Sequence, residues 1–390
     1  MKILRSVILT ALAAVLAIVL LARMDVLPTR SAGSAPRAEQ SAAPAERGAA
    51  PENGQSPTPA ATPEPEPEYF VISCIGDCTL TSHQNIGPRE AKSFAAKMGD
   101  DYGYPFSNTV QFFESDDLTI ANLECTLSDA RLSSMEQFYF LCPAAYANIL
   151  TEGGVDFVTT ANNHNLDFGQ RGLDDTWASL EAVGMPYGRD GQEQLLTTDS
   201  GLTVGICCVY NHYKPELSAC TEAIRSLREQ GAEYVILMFH WGKEMNYQPA
   251  EEQVELAHAC IDAGADLVYG SHSHCLQPVE EYNGGIILYS MGNWSFGGST
   301  NPRDPDTAII QIRVCRRGSE VTNESLTAIP CSVSSRPALE GYTGDNYNDY
   351  CPTPYEEGSE AWERVMSKLD GSYEGGNQVV DYSGWYHSWG

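Results

Sequence analysis

Seven polar side chains stand where apolar runs end: Asp77, Glu124, Asn163, His164, His240, His272 and His274. Two carboxylates, an amide and four imidazoles make a mixed nitrogen and oxygen donor set. Such a set suits divalent Zn, Mn or Fe, one ion or two, better than Ca or Mg alone. The His272-Ser-His274 pair carries most weight, because residues two apart on an extended segment point the same way and can face one ion or two adjacent ions. A carboxylate bridging two ions would also explain an acid at a strand end with no basic residue near it in sequence. Alone, each residue has an ordinary reading: Asp77 after glycine as a turn former, Asn163 as a helix cap, His164 and His240 as satisfied polar groups. Their joint occurrence at successive strand ends is what points to a metal centre. Bound divalent ions would activate water and stabilise an oxyanion during attack on a phosphoryl or acyl group.

What must position these residues is an arrangement repeated along the chain. Residues 154–164, 231–240 and 264–274 each run from glycine, past an acidic residue, through an apolar stretch to histidine. Each follows a helix-like segment, so each reads as helix, glycine cap, buried strand and polar carboxyl end. In a parallel sheet those ends share one edge, where α/β proteins place their sites. Further strands are expected over residues 69–75, 118–124 and 202–210, with helices near residues 144–152, 170–183, 215–230 and 250–263. Residues 286–290 and 307–314 read as late strands, taken as antiparallel. After Gly318 come one strand, a Pro/Tyr/Asp-rich loop and a helix near residues 360–369. The alternation gives an α/β fold of layered sheets and helices.

The 390 residues are not all of this kind. Lys2 and Arg5 precede an apolar run over residues 7–21, so residues 1–27 read as a signal peptide or, preferred here, an uncleaved membrane anchor that exports the rest. Residues 28–68 are Pro, Ala, Ser, Glu and Gly, a solvated spacer. A domain over residues 69–335 and a carboxyl-terminal extension over 336–390 complete the division; the aromatic tail 382–389 is expected to pack on the domain. The expected location is the outer face of the cell membrane, or outside the cell if the leader is cleaved. A net charge of -29 argues against nucleic acid and against adsorption to anionic lipid. It also requires a locally positive site for any polyanionic substrate. Twelve cysteines without a CxxC pair are expected to be mostly buried apolar residues, with one or two bridges. His83 and His212 are held as reserve ligands, while His258, on a helix face, and His387, in the tail, are set aside.

The motifs Gly76-Asp77-Cys-Thr-Leu80, Asn122-Leu-Glu124, Asn162-Asn-His164-x-x-Asp167-x-Gly169, His240-Trp-Gly-x-Glu244, His272-x-His274 with Gln277, and Tyr289-Ser-Met-Gly-Asn293 resemble those of the CapA family. These are bacterial capsule or poly-γ-glutamate synthesis proteins, with a fold similar to the calcineurin-like metallophosphatases. The resemblance covers about residues 69–335. It implies a layered α/β sandwich with its site at strand carboxyl ends. Position by position it gives Asp77 and His274 to a first ion, Glu124 as the bridge, and Asn163, His240 and His272 to a second. His164 becomes the general acid or charge stabiliser, Asp167 its orienting partner, and Glu244 a supporting residue. Two positions depart from the phosphatase pattern: Thr79 stands where a histidine is usual, and Glu124 where an aspartate is. The implied activity is a metal-dependent hydrolase or transferase acting on a phosphoester or an anionic envelope polymer. The alternative is a non-catalytic accessory protein guiding a nascent polymer beside a membrane synthase, its expected partner. A weaker third reading is an envelope domain with some other substrate.

Overall fold

A computed structural model describes residues 65–210 and 217–375. The leader or anchor over residues 1–27, the spacer up to residue 64, His212, His387 and the aromatic tail lie outside the described residues. In chain order the first half contains β1 (Glu68–Thr79), α1 (Phe94–Met98), β2 (Leu118–Leu123), β3 (Thr126–Leu127), β4 (Leu141–Cys142), α2 (Ala147–Glu152), β5 (Phe157–Thr159), α3 (Gly169–Ala182) and β6 (Tyr187–Gly188). There follow β7 (Glu193–Thr197), β8 (Thr203–Tyr210), α4 (Leu217–Glu229), β9 (Tyr234–His240), α5 (Glu251–Asp262) and β10 (Leu267–Ser271). The last part holds β11 (Val279–Tyr282), β12 (Gly285–Leu288), β13 (Asn293–Phe296), β14 (Asp306–Arg317), β15 (Glu320–Ser332), α6 (Ser335–Glu340), β16 (Thr353–Pro354) and α7 (Glu360–Leu369). No helix among the described residues is long and apolar enough to cross a membrane.

Most of these strands form two sheets, and the short β3 and β4 pair apart from them. One runs β16-β15-β14-β1-β2-β5-β6, with β13 also paired to β1; the other runs β11-β12-β10-β9-β8-β7. The second has a parallel centre with antiparallel margins, while the first is antiparallel from β16 to β1 and parallel from β1 to β6. The strand β12 is parallel to β10 and antiparallel only to β11, across the Asn283-Gly284 turn whose residues both have positive φ. The physical reason for two sheets lies in the apolar runs, which need cover on both faces. Along β9, Ile236 and Met238 face the other sheet while Val235, Leu237 and Phe239 face α4 and α5. In the first sheet, Ile72, Ile120 and Ile310 meet that inner layer, and Ile75, Val158 and Ile309 pack with α1 and α2 on the outer face. The layered α/β sandwich expected from the sequence is therefore present.

Tyr269 on β10 crosses the inner layer and donates from its hydroxyl to the Ile75 carbonyl of β1 at 2.7 Å. Both groups are buried, so Tyr269→Phe is expected to lower unfolding stability by about 1–3 kcal/mol, read from urea denaturation. All twelve cysteines are buried free thiols, so the expected bridges are not formed. The segment beyond residue 335 is built into this architecture. The strand β16 pairs with β15, and Tyr355, Val365 and Leu369 enter the inner core. The helix α7 starts at Ser359, whose hydroxyl accepts from the Trp362 amide, with Glu360 and Glu363 in its first turn.

Candidate metal centre

The parallel strands of both sheets end on one side of the molecule, and the polar residues there come from each. Asp77, near the end of β1, pairs in register with Asn122 of β2 and Asn293 of β13. This approach depends on Gly76: a Cβ there would lie 2.2 Å from the Gly292 carbonyl oxygen, which accepts the Asp77 amide at 2.8 Å. Glu124 follows β2, Asn163 and His164 follow β5, His240 ends β9, and His272 and His274 follow β10. The His272–His274 segment is not extended as the spacing suggested. Both residues take positive φ, 96° and 54°, a conformation that side-chain-bearing residues adopt only where the surroundings enforce it. The two rings thereby diverge, their centroids 6.2 Å apart.

Two sets of ligand atoms result. Glu124, His240 and His272 form one and Asp77, Glu124 and His274 the other, with atoms in each set lying within 4.8 Å of one another. Glu124 belongs to both. It is fully buried, and neither carboxylate oxygen accepts a hydrogen bond. Burying an anion in that state is costly unless cationic charge or an ion compensates it, so this donor set fits a divalent metal. Asn163 joins the first set through its Oδ1, 2.7 Å from His240 Nε2. His240 Nε2 is also 3.4 Å from Glu124 Oε1. The Ser271 hydroxyl donates to the Phe239 carbonyl, and its oxygen lies 2.9 Å from His240 Nδ1, which also lies 3.3 Å from Asn122 Nδ2. These contacts fix the ring with Nε2 turned toward the centre.

The surrounding amides hold the ligands. Asn162 donates to Asn122 Oδ1 at 3.0 Å, and Asn122 donates to Asp77 Oδ1 at 2.8 Å. Asn293 Nδ2 donates to the His274 carbonyl, while its Oδ1 lies 2.9 Å from His274 Nδ1. Reading the strand ends for charge overlooked Asn122, Asn162, Asn293 and Ser271 as positioning groups, although all but Asn293 lie within two residues of a candidate ligand in sequence. Thr79 is buried with its hydroxyl unpartnered and contributes to neither set.

Burial opposes the ionised form of Glu124, but His274 and His240 override it and hold the carboxyl well below its usual range. Burial likewise opposes the charged form of His274, and Glu124 with Asp77 outweighs it, raising the imidazole to about 10. His164 lies outside both sets. Its Nδ1 is 2.9 Å from Asp167 Oδ2, its ring packs edge-on against Phe140, and the Phe140 amide donates to the same carboxylate. Burial lowers the His164 pKa, and the Asp167 hydrogen bond and Glu124 charge outweigh it, so the net direction is upward.

A cavity of about 690 Å3 opens over the centre, walled by Asn163, His164, Asp167, His274, Asn293, Glu136, Phe138, Glu244 and Arg303, among others. His83 also lines it, packed edge-on against Phe138, and stands apart from both ligand sets. Glu244 is exposed on the wall. Gln277 donates to the Asn246 and Gln248 carbonyls and braces that loop, and His258 pairs with Glu280 away from the centre.

A family model described as bacterial capsule synthesis protein PGA_cap matches residues 71–297. The PGA biosynthesis protein CapA of Bacillus subtilis (strain 168) is 30% identical over 192 residues, covering 44% of this chain and 50% of that protein. The capsule biosynthesis protein CapA of Bacillus anthracis is 24% identical over 295 residues, covering 69% of this chain and 68% of that protein. The match thus spans half the length of the first relative. A solved structure described as a novel phosphatase from Mycoplasma pneumoniae aligns at a TM-score of 0.43 with 14% identity, covering 67% of this chain and 93% of that one.

Proposed function

Because this chain belongs to the family of bacterial capsule synthesis proteins, we propose that it is an exported, membrane-anchored protein of capsule or poly-γ-glutamate synthesis. Its histidine and carboxylate cluster holds one or two divalent ions for a hydrolytic or transfer reaction on an anionic envelope polymer or phosphoester. The observation that carries this reading is Glu124, buried, without hydrogen bonds, and common to both ligand sets. Asp77, Glu124 and His274 would hold one ion; Glu124, Asn163, His240 and His272 the other, with Mn, Zn or Fe the expected metals. Such ions supply Lewis-acid activation of water and of the attacked oxygen.

The remaining work falls to the chain itself. Asp167 fixes the His164 ring through Nδ1, which leaves Nε2 as the atom that passes a proton to a leaving group. Phe140 and Phe138 give the wall an apolar stretch beside that group. Export by an amino-terminal anchor rests on Lys2, Arg5 and the apolar run over residues 7–21. A polymer-guiding accessory role beside a membrane synthase is the second reading. It is favoured by Thr79, a residue type that is a poor metal ligand, at a position where the resembling phosphatases have histidine.

The deciding assay offers the full chain, with Mn(II) or Zn(II), a set of phosphoesters and γ-linked glutamate polymers. Turnover abolished by a chelator and restored by metal is the result expected. A protein with bound metal that turns over neither class would refute the enzymatic reading and leave the accessory one.

A further inference from the structure

The protein carries a charge of -29, and the cavity wall adds Glu136, Asp167 and Glu244 to the carboxylates of the centre. A polyanion approaching this surface meets repulsion unless positive groups receive it. Among the described residues lining the cavity, Arg303 is the only one bearing an ammonium or guanidinium group. It is exposed, and among the described residues it has neither a hydrogen-bond nor an ion-pair partner. Among the described residues most other arginines are occupied by carboxylates or stacked on rings, as Arg316, Arg364 and Arg189 illustrate.

The loop bearing Arg303 is fixed on both sides. Asn348 Nδ2 donates to the Phe296 and Ser299 carbonyls at 2.8 and 2.9 Å, and the Tyr347 hydroxyl donates to the Pro302 carbonyl at 2.7 Å. The next residue, Asp304, is buried and takes the Lys368 ammonium of α7 at 2.7 Å; that ammonium also reaches Asp306 at 2.7 Å. So the backbone is immobilised where the side chain is unengaged, the arrangement expected of a prepositioned ligand-binding group. A guanidinium presents a planar fork that matches a carboxylate.

We infer that Arg303 docks a free pendant carboxylate of an acidic amide-linked chain, holding the polymer across the cavity while another unit lies at the metal centre. This rests on the polymer reading of the function. The experiment measures equilibrium binding of a γ-linked glutamate oligomer of defined length, and of its amidated neutral counterpart, to the full chain at two salt concentrations. Wild type, Arg303→Gln and Arg303→Lys are compared. The glutamine variant is expected to bind the acidic oligomer about tenfold more weakly, with reduced salt dependence, the lysine variant to recover part of the loss, and the neutral chain to bind all three alike. Equal binding of the acidic oligomer by wild type and Arg303→Gln would overturn the inference while the polymer reading stands. A loss in Arg303→Gln seen only with a phosphoester would also overturn it, assigning the group to phosphate. Failure of wild type itself to bind the oligomer would instead bring down the polymer reading, and this inference with it.

Discussion

Glu124→Gln should empty the metal centre. The substitution keeps size and shape but removes the charge from a fully buried group that belongs to both ligand sets and accepts no hydrogen bond. Loss of a residue that merely supports a ligand costs about 10–100-fold in metal affinity, so loss of a shared ligand should exceed about a hundredfold at each position. Elemental analysis after dialysis against a weak chelator should find metal in wild type and close to none in the variant. A second signal comes from the metal-free protein. Glu124 is the largest influence raising the His274 pKa against burial, so in the variant that imidazole should titrate well below its value of about 10. An NMR titration reads this directly. Wild-type metal content in Glu124→Gln would remove the basis for the two-set description.

His164→Ala should separate chemistry from metal binding. The ring stands outside both sets, so the variant should keep its metal while losing turnover by about 10²–10⁴-fold, the usual contribution of a positioned general acid. Asp167→Asn retains the ring and weakens only its orientation, which predicts a smaller loss of about 10–100-fold. Rates and metal content measured on the same preparations distinguish the outcomes. A His164→Ala protein at full rate would contradict the acid role, and one without metal would move His164 among the ligands.

The residues of the centre were readable because apolar runs long enough for buried strands end on them, and the glycine before each of several runs marks the helix exit. The parallel ends of β9 and β10 follow from that pattern alone. What it does not carry is the partition into two sheets, since a strand covered on both faces reads the same in one sheet or in two. Nor does spacing reveal backbone sign: His272 and His274, two apart, suggested rings on one side, and the positive φ of both sends them to different ligand sets. The amides Asn122 and Asn293 escaped because an uncharged polar residue looks like any other until its partner is known. The helix near residues 360–369 was expected from the sequence. That its Lys368 would brace the neighbour of Arg303 depends on contacts more than sixty residues away in sequence.

The candidate ligands are divided between the two hydrogen-bonded sheets, with Asp77, Glu124 and Asn163 on one and His240, His272 and His274 on the other. At that end of the sandwich residues 291–292 already bond to both sheets, to the Gly270 carbonyl and the Asp77 amide, and Tyr269 and Ile75 fasten them as well. An ion accepted there would act as a rivet between two plates. Loading would then register mechanically: the protein would resist prying apart at the very end where its substrate enters, and a protease or heat would detect whether it is charged with metal before any assay of turnover could.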